Sequence, residues 1–418
     1  MNRPLVFVTC FATCVLAQWN PNDPPARPNS GMPFLTNGRD GSVLLSWTDP
    51  AGDGGHALRF SRWNGSGWSN AETVAQGKRW FVNWADFPAI QVLPDGSMLA
   101  HWLERAENAG QYGYGIRIAR KGARRNDPWH ATAAMNQNDV SDYAGFLSFQ
   151  GAAAAYLSPP AKRQAHSDKD HNHESGHVKT LRFVRFDRGG GAAEDQQLDD
   201  DVCSCCMTAT VATGSRLLVA YRDHLPGEIR DISIIQYRNG KWSKPRLLHR
   251  DGWKINGCPT EGPSMATSGA TVAVAWMTRA RDVPQLQLSI SRDGGDRFHA
   301  PVRVDDGNPL GRPALAAIDA RQMLLVWLEK TGEGGADVRL RRIYSDRSAA
   351  PSVTIAHVPG SRAAGLPKIA LHGRQVLVAW RAGQVRAGWM PLESVPERSA
   401  ISRPSEPTAA DKHREVPR

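Results

Sequence analysis

Residues 269–305 read GATVAVAWMTRARDVPQLQLSISRDGGDRFHAPVRVD, and this stretch decides the fold. Residues 272–276 are a continuous apolar run, residues 286–291 alternate apolar with polar side chains, and residues 300–304 make a third short segment. Short apolar runs closed off by Gly, Asp and Pro spell strands, because a strand needs only a period of two and a turn to end it. The turn between the second and third runs is Ser291-Arg292-Asp293-Gly294-Gly295-Asp296-Arg297-Phe298. Ser291 and Asp293 carry short acceptors suited to the turn's own amides, Gly295 tolerates positive φ, and Phe298 offers a ring to plug the side of a hairpin.

The apolar run ending in an aromatic recurs: VLLSW to Trp47, MLAHW to Trp102, AAAAY to Tyr156, LLVAY to Tyr221, VAVAW to Trp276, MLLVW to Trp327 and VLVAW to Trp380. Intervals of about 50 to 65 residues give each repeat room for four strands, and self-similarity at such a period marks a repeat architecture. Several repeats are preceded by a Pro-initiated segment ending at a turn, as in 88–96, 263–269, 313–319 and 367–373. The reading is an all-β chain, a six- or seven-bladed β-propeller of four-stranded antiparallel blades over residues 32–390. The last repeat lacks an outer strand after Met390, and residues 18–31 are expected to supply it. The hairpin motif decays elsewhere: Ser61 to Trp68 keeps Ser, Gly and Trp without the Asp, and 238–242 is shorter still.

The net charge of +10 comes largely from scattered Arg, with no basic stripe interleaved with aromatics, so no nucleic-acid partner is expected. Residues 1–17, MNRPLVFVTCFATCVLA, have one Arg, an apolar run and a small-residue end, the pattern of a secretory signal. The residues before Cys10 and Cys14 do not suit lipidation, and no later segment is apolar enough to span a membrane. An exported chain, periplasmic or secreted, is the expectation. Residues 391–418 are polar and Pro-rich and read as a disordered tail.

In a propeller blade the turn between strands three and four lies on one face, and the turn between strands two and three shares the other face with the link to the next blade. The hairpin motif therefore falls on one face. The residues after each aromatic run fall on the opposite one: Asp49, Glu104, Arg105, Arg222, Asp223, Arg279, Glu329, Lys330 and Arg381. These read either as solvated loop charges or as a ring around a central pocket. Three segments of the fourth repeat converge there, 201–206, 221–231 and 251–259, so that Cys258 comes within reach of Cys203, Cys205 and Cys206. Four cysteines in an exported chain suggest disulfides; a thiolate site for copper or zinc is the alternative, and no cofactor is required.

The link RWFVNWADF at 79–87 presents Trp80, Asn83, Trp84 and Asp86, a mixture of rings and polar groups that suits a sugar surface or packing between blades. Trp253 joins this candidate surface. His166, His171, His173 and His177, with neighbouring acids, either hold a divalent ion or form a solvated loop.

The complete motif at Ser291, Asp293, Gly295 and Phe298 resembles the Asp-box, and the repeats resemble the sialidase superfamily of propellers. That resemblance implies an arginine triad opened by Arg-Ile-Pro, an acid from a loop Asp, and a Tyr nucleophile paired with Glu. Here the matching strand is Gly31-Met32-Pro33-Phe34, without the Arg; Asp49 or Asp53 occupies the acid loop, and Tyr344 is the nearest Tyr. Loss of a bidentate Arg removes several kcal/mol, roughly, of carboxylate recognition and argues against sialic acid release. Two functions are expected. One is an exported propeller that binds or cleaves a glycan or other anionic small molecule, with Asp86, Asp223 and Asp231 as acids and Arg222 and Arg230 holding an anionic group. The alternative is a periplasmic metal-binding or interaction scaffold built on the cysteines and the His-rich loop.

Overall fold

The computed structural model describes residues 19–38, 40–110, 112–136, 139–160 and 178–398. The signal-like segment 1–17 and all four His of the 166–177 loop lie outside them. Seven antiparallel sheets follow one another along the chain. Blade one is Gly31–Asn37, Val43–Pro50, His56–Trp63 and Glu72–Gly77; blade two is Ala89–Val92, Met98–Arg105, Tyr114–Lys121 and Trp129–Met135. Blade three is Gly145–Gln150, Ala153–Ser158, Lys179–Phe186 and Ala192–Val202. Blade four is Ala209–Thr213, Arg216–Arg222 and Ile232–Arg238, with an outer strand split into Lys241–Trp242 and Arg246–Leu247. Blade five is Ser264–Ser268, Thr271–Thr278, Gln285–Ser291 and Val302–Arg303, and blade six is Pro309–Ala317, Gln322–Lys330, Gly335–Tyr344 and Val353–Pro359. The first strands of successive blades contact each other around the axis.

Blade seven is Lys368–His372, Gln375–Ala382 and Gln384–Pro391, and its fourth strand is Asn20–Pro21, with Asn20 opposite Trp389 and Pro21 opposite Gly388. One blade thus joins the first and last strands of the described residues. The fold continues past Pro391, where a disordered tail was expected. Leu392 and Val395 are buried, and Arg342 donates to the carbonyls of Leu392 (2.7 Å) and Val395 (3.2 Å). Two apolar residues in a polar, Pro-rich stretch are too sparse to show a period in sequence.

The aromatic-ended runs are the second strands. Each is sandwiched between neighbouring blades and so is apolar on both faces, which is why it reads as a continuous run. Trp47, Tyr156, Tyr221, Trp276 and Trp327 are all at most 2 % exposed. Truncating one such Trp costs on the order of 3–5 kcal/mol.

The acids two residues beyond these aromatics do not form a ring of charge about the axis. Asp49 Oδ1 accepts the Trp47 indole N–H (2.8 Å) and the Arg27 amide (3.0 Å); Glu329 Oε2 accepts the Trp327 indole (2.7 Å) while Oε1 takes the Asn308 amide (2.5 Å). Glu104 pairs with Arg79 and Arg117, and Asp223 accepts from Ser233 Oγ and the His224 amide. A buried indole N–H needs an acceptor, and an acid on the same side of the strand supplies it.

At the expected structural hairpin, Ser291 Oγ accepts from the Gly295 amide (2.9 Å) and Asp293 Oδ1 from the Arg297 amide (3.0 Å). Gly294 and Gly295 lie at φ +74° and +91°.

Candidate functional site

On the opposite face, the three segments of blade four come together as the topology requires. Cys203 N donates to the Arg222 carbonyl (3.1 Å), and Arg230 N donates to the Trp253 carbonyl (2.8 Å). The Sγ atoms of Cys203 and Cys206 are 3.3 Å apart and those of Cys203 and Cys205 3.9 Å, and all four cysteines are free thiols. The three buried or half-buried sulfurs lie within 4.8 Å of one another, so one ion could bridge them. Burial and its neighbours raise the Cys206 thiol well above its ordinary value, and donation from neighbouring thiols lowers that of Cys203.

Arg222 is fully buried, and its guanidinium serves backbone: Nε to the Glu261 carbonyl (2.7 Å), Nη1 to Arg230 (2.5 Å) and Nη2 to Met277 (2.7 Å), with the Trp253 ring below it at 4.7 Å. Arg230 donates from Nη2 to Glu228 (2.7 Å), while its Nε and Nη1 are buried without a partner. Asp231 accepts the amides of Gly252 (2.9 Å) and Trp253 (3.0 Å), pinning the link that carries Cys258. His224, which the sequence reading passed over, holds Asp201 on Nδ1 (2.7 Å) and faces Glu228 on Nε2 (3.4 Å).

Beside this cluster opens a cleft of about 300 Å³ between the links of blades five, six and seven. Cys258 and Glu261 line one wall, Arg279 and Lys330 the rim, and Arg312, Arg362 and Trp84 the centre. Arg312 is 4 % exposed, sits at φ +61°, and lies 4.5 Å over the Trp84 ring; Arg362 is 6.0 Å from the same ring. Arg312 Nη1 donates to the carbonyls of Ser361 (3.0 Å) and Gly365 (2.8 Å). Its amide donates to Glu261 Oε2 (2.9 Å), and that carboxylate occupies the space a Cβ at residue 311 would need (2.7 Å), so only Gly fits there. A non-Gly residue at positive φ costs on the order of 1 kcal/mol and persists where surroundings impose it. Burial pushes the Glu261 carboxyl up to about 7 against the opposing pull of Arg312 and Arg222. Among the described residues no carboxylate lies within salt-bridge distance of the exposed Arg279, Lys330 and Arg362. The cleft is therefore cationic.

Glu261, Arg312 and Arg362 were not among the sequence-derived candidates. Their signal was Gly311-Arg312-Pro313, one of several Gly-x-Pro entries to first strands alongside Gly31-Met32-Pro33 and Gly365-Leu366-Pro367. The sequence reading noticed Pro and ignored the residue held beside it.

The remaining candidates sit elsewhere. Trp80 is buried and stacked on Trp102 (5.6 Å), and Asn83 Oδ1 accepts the Ala85 amide (2.8 Å). Asp86 accepts the Phe146 amide (2.7 Å) and the Tyr114 hydroxyl (3.4 Å), holding blade three's first strand as Glu261 holds blade six's. Asp53 lies on an exposed turn paired with Lys78, and Tyr344 ends a third strand on the hairpin-motif face, accepting the Arg398 amide (3.1 Å). That face is the one away from the cleft, so Asp49, Asp53 and Tyr344 do not assemble a catalytic set.

Burial pushes Asp86 up to about 7. The folded chain then keeps a proton that the unfolded chain releases near pH 4, so between those values Asp86 destabilises the fold progressively as pH rises. Asp86→Asn removes this dependence while keeping an acceptor for Phe146. Relative to the unsubstituted chain, its stability should rise from pH 5 to pH 8 by roughly 2–4 kcal/mol. Urea unfolding at both pH values reads the difference directly, and every other titrating group cancels in it. A pH-independent difference would refute the shift.

No protein-family model matches the chain, and no curated protein sequence does. Among solved structures it is similar to a protein of unknown function from Dyadobacter fermentans, at 14% identity and a TM-score of 0.52 over 90% of this chain and 99% of that one. It is similar to the GH93 α-L-arabinofuranosidase of Fusarium graminearum, in complex with arabinobiose, at 12% and 0.50 over 91% and 98%. It also matches the Hadza microbial sialidase Hz136 at 12% and 0.47, over 88% of this chain and 66% of that one. At these identities the likeness shows the fold alone, a β-propeller. Among the described residues no helix is long and apolar enough to cross a membrane.

Proposed function

We propose that the chain binds an anionic glycan, one bearing carboxylates, in the cleft around Arg312. The observation that supports it most is the imbalance of charge: Arg279, Lys330 and Arg362 stand without carboxylate partners around a buried Arg312, against the single acid Glu261. Cationic groups in a partly enclosed cleft attract and hold anions more strongly than the same groups on an open surface. Fixed guanidinium forks suit carboxylates. A glycosidase needs two carboxyls, about 5 Å apart or 6.5–9.5 Å apart. Among the described residues that line the cleft Glu261 is the one carboxyl, so binding is the function assigned, and Asp86, Asp223 and Asp231 are the acids to replace by Asn in a cleavage assay. The apolar start of the chain supports export, which would make the ligand a periplasmic or extracellular glycan. The GH93 neighbour's complex with arabinobiose is in keeping with a saccharide on such a scaffold.

The test is titration calorimetry against matched oligosaccharides with and without uronic or sialic acid residues. Acidic members should bind, neutral ones should not, and affinity should fall steeply with added salt. Joint replacement of Arg279, Lys330 and Arg362 by Ala should weaken binding about tenfold to a hundredfold with no loss of fold, since all three are exposed. Equal binding of neutral and acidic members would sink the assignment.

A further inference from the structure

The cysteine cluster is not needed by the cleft, yet its geometry and charge are those of a built site. Cys203, Cys205 and Cys206 hold their sulfurs within 4.8 Å of one another, Cys203 lying 3.3 Å from Cys206 and 3.9 Å from Cys205, and Cys258, on the cleft wall, neighbours Cys205. A tetrahedral ion with metal–sulfur bonds near 2.3 Å holds its sulfurs about 3.8 Å apart. Cys258 lies outside this group of three and is assigned the fourth ligand position through its neighbour Cys205.

Charge supplies a second, independent observation. Arg222 is fully buried and makes its three bonds to backbone carbonyls, with no carboxylate partner, while acting on Cys203 and Cys206. Arg230 is ion-paired to Glu228 through Nη2 (2.7 Å), with its Nε and Nη1 buried and without a partner. Buried cations without counter-ions are costly. Four thiolates around a divalent ion carry a net charge of minus two, and Arg222, bonded only to backbone carbonyls, supplies a positive charge beside them.

We propose that Cys203, Cys205, Cys206 and Cys258 bind one zinc ion as a tetrathiolate, with Arg222 as its charge-balancing neighbour. Binding releases the thiol protons to solvent and changes no oxidation state. The ion closes the link 251–259 onto blade four, and because that link forms a wall of the cleft, the metal orders the cleft without touching its ligand.

The full chain, purified under reducing conditions without oxygen, should take up one equivalent of zinc, protect Cys203, Cys205, Cys206 and Cys258 from alkylation as read by peptide mass mapping, and give tetrahedral thiolate absorption with cobalt. Cys206→Ser should weaken zinc binding about tenfold or more. Cys258→Ser, at an exposed position, should do so while leaving the unfolding midpoint of the metal-free chain unchanged. Thiols that remain alkylatable with zinc present, an intact mass showing two disulfides formed under these conditions, or uptake of copper(I) in a three-sulfur site with no zinc binding would each overturn the proposal. Zinc uptake is read without any glycan, so failure here is separable from failure of the cleft assignment.

Discussion

Arg312→Met is expected to reduce binding of an acidic oligosaccharide about a hundredfold and to lower the chain's stability by roughly 2–4 kcal/mol. The two effects have distinct origins. The guanidinium holds Ser361 and Gly365 through their carbonyls, and each charge-assisted bond of this kind is worth about 1.5–3 kcal/mol. Those contacts shape the link that carries Arg362, so their loss loosens one side of the cleft. The binding loss comes from removing a fixed fork that can meet a carboxylate in two places, worth about 3 kcal/mol in a desolvated setting. Met keeps the stem's packing on Trp84, so a gross repacking of that ring is not the cause.

Arg312→Lys separates the two. It restores charge but not the fork, and a single ammonium cannot serve two carbonyls and a ligand at once. Stability should recover by about half, and affinity should remain at least about tenfold down. Calorimetric titration and urea unfolding of both variants give the four numbers needed. Affinity for the acidic ligand that stays within about threefold of the unsubstituted chain in Arg312→Met would remove Arg312 from the site.

How the sequence exposed the scaffold but hid this site has a physical cause. Second strands such as residues 271–278 are buried on both faces, so apolarity is written continuously along them and repeats visibly from blade to blade. Hairpin chemistry is local, and Ser291, Asp293 and Gly295 announce themselves by spacing alone. Even the meeting of segments 201–206, 221–231 and 251–259 followed from which links share a face.

Cleft residues obey no such rule. Arg312 belongs to the cleft because of where the fold puts it, held at positive φ beside a carboxylate 51 residues away, and no local pattern connects Glu261 with it. Acids after the aromatics misled for the opposite reason. A carboxylate in a loop reads as solvated or functional, whereas Asp49 is 1 % exposed and Glu329 7 % exposed, spent on indoles and amides. Trp80 likewise reads as a surface ring until its neighbour Trp102, in the next strand, is seen to cover it.

Glu329→Ala should cost about 2–3 kcal/mol, chiefly through the indole it leaves unpaired. Its carboxylate accepts the Trp327 indole at 2.7 Å and the part-buried amides of Asn308 at 2.5 Å and Asp306 at 3.4 Å, so its removal strands the buried indole and leaves the two amides to water. Each buried donor left unpaired costs about 1–3 kcal/mol, more than the bond's own net worth. Trp327→Phe makes the instructive contrast. It removes the indole donor along with its need for an acceptor and leaves both amides satisfied, so it should cost only about 1–2 kcal/mol through lost volume. If the acid were a mere loop charge, the order would invert, because a buried ring would then outweigh an exposed carboxylate. Asp49 tests the same logic at the closure of the ring: it joins Trp47 to the Arg27 amide of the N-terminal segment that completes blade seven. Asp49→Ala should therefore destabilise by a similar amount and, unlike Glu329→Ala, should speed proteolysis near residue 27 under native conditions. Equal and small losses in both acids would mean that the indole contacts are incidental to holding successive blades together.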